Sequence, residues 1–225
     1  MEELIHKGER LDDLQLNGLQ IIQNPNGYCF TSDAVALANF VKCKPHSNVV
    51  ELCSGSGVIG ILINAKNIVD KVVFVEIQEN LADMSRRSVL YNHLESKFQI
   101  LNRELQNVCE CLKDQRIDVV VCNPPYKKEN TSSLLSANKE KLIARHEVKV
   151  TLEEIVFEAS KLLKFGGKFY ICNKEERLVE MINLCSKYKL ETKRIKILPS
   201  EKKSHIVLIE AVKGGKSGCL IEIAK

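Results

Sequence analysis

Six residues that read as a buried strand, Asn48-Val-Val-Glu-Leu-Cys53, pass through a glycine-rich turn, Ser54-Gly55-Ser56-Gly57, straight into an apolar helix from about Val58. A strand that hands over to a helix so abruptly has to be followed by a return strand, because the helix buries its apolar stripe only by lying back on a sheet. The unit then repeats. Residues 71–76 form a second strand followed by a helix over 79–92. Residues 98–101 form a third, with a short amphipathic helix after it, and residues 117–122 form a fourth that delivers Asn123 at its carboxyl end. Thr151 and Glu154 make a capping box that opens the next helix. Gly166-Gly167 then turns into a strand over 168–172. After a helix over 175–188, strands over 191–198 and 205–212 close the pattern. Upstream, Thr31 or Ser32 caps a helix through Val35, Leu37, Ala38, Phe40 and Val41, which Pro45 helps to end.

Strands alternating with helices predict an α/β fold, a mostly parallel sheet with helices on both faces. The short link between the last two strands makes them an antiparallel pair at one edge. Ligands of such sheets bind beyond the carboxyl ends of the strands. The glycine turn, Glu76, Asn102 and Asn123 all fall there. No repeat, low-complexity tract or Pro/Gly-rich linker divides the chain. Residues 1–225 are therefore expected as a single domain, with 1–45 an N-terminal arm and capping helix and 46–225 the core.

Composition narrows the setting. The chain is 44% hydrophobic and 28% charged, ordinary for a globular protein. Its longest apolar runs, such as 57–64, are far too short to cross a bilayer. Met1-Glu-Glu opens on acid with no apolar stretch behind it, unlike a secretory leader, so the expected setting is the cytoplasm with no membrane partner. Nine cysteines, at 29, 43, 53, 109, 111, 122, 172, 185 and 219, include no C-x-x-C pair, and Cys109-Glu-Cys111 lacks the second pair of a zinc site. Five of them (53, 109, 122, 172 and 185) lie in or beside apolar runs and read as reduced core thiols, and no metal is expected. Charge is uneven: residues 1–113 hold 11 Lys+Arg against 14 Asp+Glu, and residues 114–225 hold 22 against 15. A basic second half suits a polyanionic partner, and equally a solvated lysine-rich surface. Residues 127–142 are polar with little periodicity and read as a mobile loop.

The glycine turn lets backbone pass close to a bound molecule. Gly55-x-Gly57-x-x-Gly60, with Glu76 about 20 residues on to accept from ribose hydroxyls, is also the fingerprint of a dinucleotide site. Two features turn the reading towards S-adenosyl-L-methionine. Glu51 lies within the first strand, where a carboxylate suits a cationic methionine end and opposes a pyrophosphate at a helix N-terminus. The other is the segment after the fourth strand. The expected cofactor set is Glu51, Ser54, Gly55, Gly57, Glu76 and Ile77, joined by Asn123. Asn102 is placed either to meet the adenine's exocyclic amine or to serve as a turn residue.

That segment is Asn123-Pro124-Pro125-Tyr126. The amine of an adenine is a poor nucleophile because its lone pair is delocalised into the ring. The Asn123 side-chain carbonyl and the Pro124 backbone carbonyl can accept both N–H groups as the nitrogen attacks a methyl sulfonium. Pro124 and Pro125 fix those acceptors at little entropic cost, and Tyr126 offers a face on which an extruded base can stack. A rigid turn after a buried strand is the plain structural use of the same residues.

The combination of Glu51, Gly55-x-Gly57, Glu76 and Asn123-Pro-Pro-Tyr126 resembles the class I amino-methyltransferases. More narrowly, the chain is similar to the bacterial tRNA (valine) (adenine-N6)-methyltransferases, through Leu11-Asp-Asp-Leu-Gln with Gln23-Asn-Pro, Phe30-Thr-Ser-Asp-Ala34, Ala144-Arg-His-Glu147 and Lys213-Gly-Gly-Lys216. The resemblance implies a Rossmann-like seven-stranded sheet with an antiparallel edge strand. It implies S-adenosyl-L-methionine as cofactor, S-adenosyl-L-homocysteine as product, and an adenine of tRNA near the anticodon as acceptor. It places Phe30 and Thr31 beside the cofactor. It puts Arg145 and Lys216 near the RNA, whose phosphates Lys127 and Lys128 would also meet. Two positions depart from the family's pattern: Cys53 stands where glycine is frequent, and Asn102 where aspartate is. Other readings of the same residues are methylation of a glutamine side-chain amide, which presents the same pair of N–H donors, a nicotinamide-dependent oxidoreductase, and a cofactor-binding module without catalysis.

Overall fold

The structure, a computed structural model, describes residues 2–124, 150–199 and 204–223. A short antiparallel hairpin comes first, β1 (Arg10–Asp13) with β2 (Gln20–Gln23). There follow α1 (Ser32–Phe40), β3 (Ser47–Leu52), α2 (Val58–Lys66), β4 (Val69–Glu76), α3 (Glu79–Tyr91), β5 (Phe98–Asn102), the single turn α4 (Val108–Cys111) and β6 (Ile117–Cys122). After residue 149 come α5 (Leu152–Leu162), β7 (Leu163–Lys174), α6 (Leu178–Lys187), β8 (Leu190–Ile197), β9 (Ile206–Lys213) and β10 (Leu220–Ile223). The expected mobile loop over 127–142, and with it Pro125, Tyr126, Lys127, Lys128 and Arg145, lies outside the described residues.

The large sheet has the order β10-β8-β9-β7-β6-β3-β4-β5. Helices cover both faces, as the alternation of elements requires. On one side Leu37 and Ala38 of α1, Ile59 and Ile63 of α2 and Val89 of α3 pack against Val49, Val72, Val119 and Tyr170. On the other, Val108 of α4, Ile155 and Ala159 of α5 and Met181 and Cys185 of α6 pack against Val50, Val73, Val120 and Ile171. Strands buried on both faces carry near-continuous apolar runs, and β3, β4 and β6 do so. Thr151 caps α5 with the full capping box, its hydroxyl accepting from the Glu154 amide at 3.2 Å. Thr31 stands at the N-cap of α1 without a capping bond, its hydroxyl lying 3.4 Å from Asp33 instead.

Details depart from the sequence expectation. β9 is antiparallel to both its neighbours and lies between β7 and β8 rather than at the rim. Val207 to Ala211 are buried without a break, whereas β8 buries only Leu190, Arg194 and Ile195, so β9 belongs inside the sheet and β8 nearer its edge. An eighth strand, β10, adds parallel to β8; four residues with Leu220, Ile221 and Ile223 exposed carry no periodic signal. β7 starts at Leu163 and runs through Gly166 and Gly167 instead of beginning after them, with an irregular register opposite Ile117–Val119. Residues before α1 include the β1–β2 hairpin, which docks on α3. Its Gln20 amide donates to the Asn92 side chain at 3.0 Å and its Ile22 amide to Ser88 Oγ at 3.0 Å. Among the described residues no helix is long and apolar enough to cross a membrane.

Candidate active site

β3 is the strand from which the sheet grows in both directions, β4 and β5 on one side and β6 and β7 on the other. Such a reversal opens a crevice at the strands' carboxyl ends. Register brings the strand ends level: Leu52 pairs with both Val75 and Cys122, Glu76 with Asn102, and Cys122 with Ile171. Cys53, Glu76, Asn102, Asn123 and Cys172 therefore share one rim. A solvent-open cleft of about 270 Å³ lies there, lined by Tyr28, Phe30, Ala34, Glu51, Cys53, Ser54, Ser56, Val58, Ile59 and Asn123.

The floor is the β3–α2 turn. Gly57 N-caps α2 at φ +83, and a Cβ there would stand 2.4 Å from the Phe74 ring. Cys53 has φ +53, the left-handed region that a side chain tolerates poorly, which is a physical reason for glycine to be frequent at that position. Glu51 Oε2 accepts from the Gly60 amide at 2.7 Å. Burial pushes the Glu51 carboxyl up to about 8 from its ordinary 4.5, against the lowering effect of the Gly60 and Ile59 amides and with a further push from Glu76. The first-turn amides of α2 thus already face the Glu51 carboxyl group. A pyrophosphate would need those amides, so the turn is unsuited to a dinucleotide.

The wall on the β4 side is built the same way. Glu76 Oε2 accepts from the Gly55 amide at 2.8 Å and Oε1 from the Gln78 amide at 2.9 Å. The Asn102 amide group donates to the carbonyls of Glu76 at 2.9 Å and Ile77 at 3.1 Å, which holds the β4–α3 turn and commits both its N–H groups. The Ser54 hydroxyl is buried with no hydrogen-bond partner among the described residues, as expected of a group that meets a polar ligand. Across the cleft, Asn123 Oδ1 accepts from the Cys172 thiol at 3.0 Å.

The roof comes from the segment between β2 and α1. Phe30 is held by its amide, which donates to Gln23 Oε1 at 2.9 Å, and Gln23 is bonded in turn to Asp12 of β1. Tyr28, which the sequence reading passed over, lies 3.5 Å from where a Cβ on Gly55 would stand. An aromatic two residues before Phe30 in the loop that precedes α1 was the available signal. Thr31 is exposed and is absent from the cleft lining. Lys216 is the expected site residue that the fold carries away. Leu208 is level with Cys172 and Lys213 lies five residues further along β9, about 17 Å at strand rise, and Lys216 lies beyond, at the opposite end of the sheet. Among the described residues no group of His, Cys, Asp and Glu could hold a metal ion, and none of the nine cysteines is in a disulfide.

The family model described as "Methyltransferase small domain" matches residues 31–196. A tRNA1(Val) (adenine(37)-N6)-methyltransferase of Porphyromonas gingivalis is 24% identical over 185 residues, 78% of this chain and 71% of that protein. Three further relatives of that name are matched over only 57%, 57% and 56% of their length. A release factor glutamine methyltransferase of Clostridium botulinum is 26% identical over 102 residues, covering 45% of this chain and 35% of its own. Among solved structures, the tRNA m1G37 methyltransferase of M. jannaschii superposes with a TM-score of 0.66 at 14% identity, over 94% of this chain and 58% of that one.

Proposed function

Because the chain belongs to the methyltransferase small domain family, we propose that it moves a methyl group from S-adenosyl-L-methionine to the exocyclic N6 amine of an adenine in RNA, a tRNA near its anticodon, releasing S-adenosyl-L-homocysteine. The observation that carries the reading is that Asn123 lines the same cleft as Glu51 and Ser54. An amide acceptor for an amine and a polar cradle for a sulfonium amino acid thereby share one space. The names of the tRNA1(Val) relatives support the choice of adenine.

S-Adenosyl-L-methionine, when bound, supplies an electrophilic methyl group. Glu51 and Ser54 face its amino-acid end, with Gly55 and Gly57 giving backbone room. Glu76 takes the ribose, since a carboxylate has about four acceptor sites and can serve two backbone amides and a diol. Asn102 has both N–H groups committed to backbone, so it presents Oδ1, an acceptor matched to an exocyclic amine. That is how asparagine can stand in for aspartate here. Asn123 Oδ1 and the Pro124 carbonyl accept the two N–H groups of the target amine, Pro125 stiffens the frame, and Tyr126 stacks on the base. Lys127, Lys128 and Arg145 meet phosphates. Phe30 and Tyr28 exclude water above the cofactor.

Nucleoside mass spectrometry of tRNA from cells with and without the gene tests this. N6-methyladenosine is expected to disappear from the tRNA of the deletion strain, and unchanged levels would sink the proposal. The likeness to a release factor glutamine methyltransferase supports a second reading, a protein glutamine amide as acceptor. Labelled cofactor offered to bulk tRNA and to whole-cell protein separates the two by which fraction takes up label.

A further inference from the structure

An amide side chain looks nearly the same to its neighbours whichever way it is flipped, yet only one end of Asn123 can accept a hydrogen bond. Something must therefore fix the flip. Asn123 follows β6, and on the adjacent parallel strand β7 the residue at its level is Cys172. Side chains level on adjacent strands point to the same face, and here they touch: the Cys172 thiol donates to Asn123 Oδ1 at 3.0 Å. Cys172 is wholly buried among Tyr170, Val121 and Leu208, so water does not compete for its proton.

We infer that Cys172 is a positioning residue, whose thiol selects the flip of the Asn123 amide that presents Oδ1 to the methyl acceptor. A carbonyl oxygen carries two lone pairs, so an Oδ1 that accepts from the thiol keeps the capacity to accept from an amine as well. The opposite flip would set the Asn123 amino group against sulfur, a weak acceptor, and turn N–H donors towards an amine that itself needs acceptors. A buried aliphatic residue would fill the same space without that preference. The inference rests on the acceptor role of Asn123 proposed above. It assigns no chemistry to the thiol itself, which neither forms nor breaks a bond.

The test compares Cys172→Ala, Cys172→Val, Cys172→Ser, Asn123→Ala and the double variant Cys172→Ala/Asn123→Ala. Each is assayed with labelled S-adenosyl-L-methionine and bulk tRNA from cells lacking the gene, and each is titrated with S-adenosyl-L-homocysteine by calorimetry. Losing one ordinary hydrogen bond predicts a fall in kcat of about three- to tenfold for the Ala and Val variants, with cofactor Kd within about twofold of wild type. Serine, which keeps a donor, restores kcat, and Cys172→Ala adds nothing in the Asn123→Ala background. If Asn123→Ala abolishes transfer while Cys172→Ala leaves kcat intact, the positioning role is wrong and the proposed function stands. The positioning role is equally wrong if the serine variant is as slow as alanine, or if kcat and cofactor affinity fall together. If Asn123→Ala keeps full turnover, or wild type puts no label into tRNA, the function reading fails and the positioning role fails with it.

Discussion

A carboxyl group enclosed between a strand and a helix has to be held by something, and Glu51 is held by the Gly60 amide at 2.7 Å. Burial still dominates and lifts its pKa to about 8 from 4.5. The folded protein therefore keeps a proton on Glu51 that the unfolded chain gives up. That contribution to stability is fully present below about pH 4.5 and is lost as pH rises to about 8. Glu51→Gln should flatten this slope: its urea midpoint should change less between pH 5 and pH 8 than that of wild type, and equal slopes would remove the assignment. A cationic cofactor favours the charged carboxylate, so wild-type affinity should rise over the same window. Much at this scale was legible in sequence. Glu51, the glycine turn, Glu76 and Asn123 declare themselves through spacing after strands. The Cys172 bond did not, because a cysteine in an apolar run looks the same whether or not its thiol has a polar neighbour.

At the scale of elements, β3, β4 and β6 were readable because each is a mostly apolar stretch of six or more residues with a clear stop. The hairpin was not. β1 and β2 are four residues each, and the contacts of β2 with α3, the helix they lie on, reach 66 to 72 residues along the chain. Arg87 of α3 fastens the segment before β1, donating to both oxygens of Glu9 at 2.6 and 2.7 Å and to the Leu4 carbonyl at 2.6 Å. Both side chains are only 9% exposed. Their packing matters to the cleft because Gln23 of β2 holds the amide of Phe30. Arg87→Leu takes the guanidinium from Glu9 and leaves it the His6 amide, a loss of about 3 kcal/mol for a buried pair. The amides of 10–23 should then exchange faster with solvent and affinity for S-adenosyl-L-homocysteine should fall. Hydrogen exchange as slow as in wild type would show that the hairpin does not depend on this clasp.

Over the whole molecule, alternation of strand and helix reveals the layers, but not which strands meet or what ties the two ends of the chain together. Arg194 illustrates the difficulty. It stands in Lys193-Arg194 on an outer strand and reads as one more surface cation, yet it is 8% exposed. It pairs with Glu210 at 3.0 Å, donates to the Phe40 carbonyl at 2.6 Å and lies 3.9 Å over the Phe40 ring. Beside it the Tyr170 hydroxyl donates to the Lys42 carbonyl at 3.1 Å, and Lys168 reaches Glu210 at 3.1 Å. The end of α1 is thereby fixed to β7, β8 and β9, across 128 to 154 residues of sequence. Pairings of that range carry no local pattern, but they decide whether the sheet melts as one body. Among the described residues, Arg194→Leu leaves buried Glu210 with only Lys168 and the Tyr170 hydroxyl beside it, and it removes the capping of the Phe40 carbonyl. A loss of about 3 kcal/mol is expected, a large part of a typical folding free energy of about 5–15 kcal/mol. Adding Glu210→Leu removes the stranded charge as well, and the double variant should recover part of the loss. Urea unfolding followed by both circular dichroism and tyrosine fluorescence reads the result. A single variant as stable as wild type, or a double variant weaker than the single, would mean that this cluster is not what joins α1 to the closing strands.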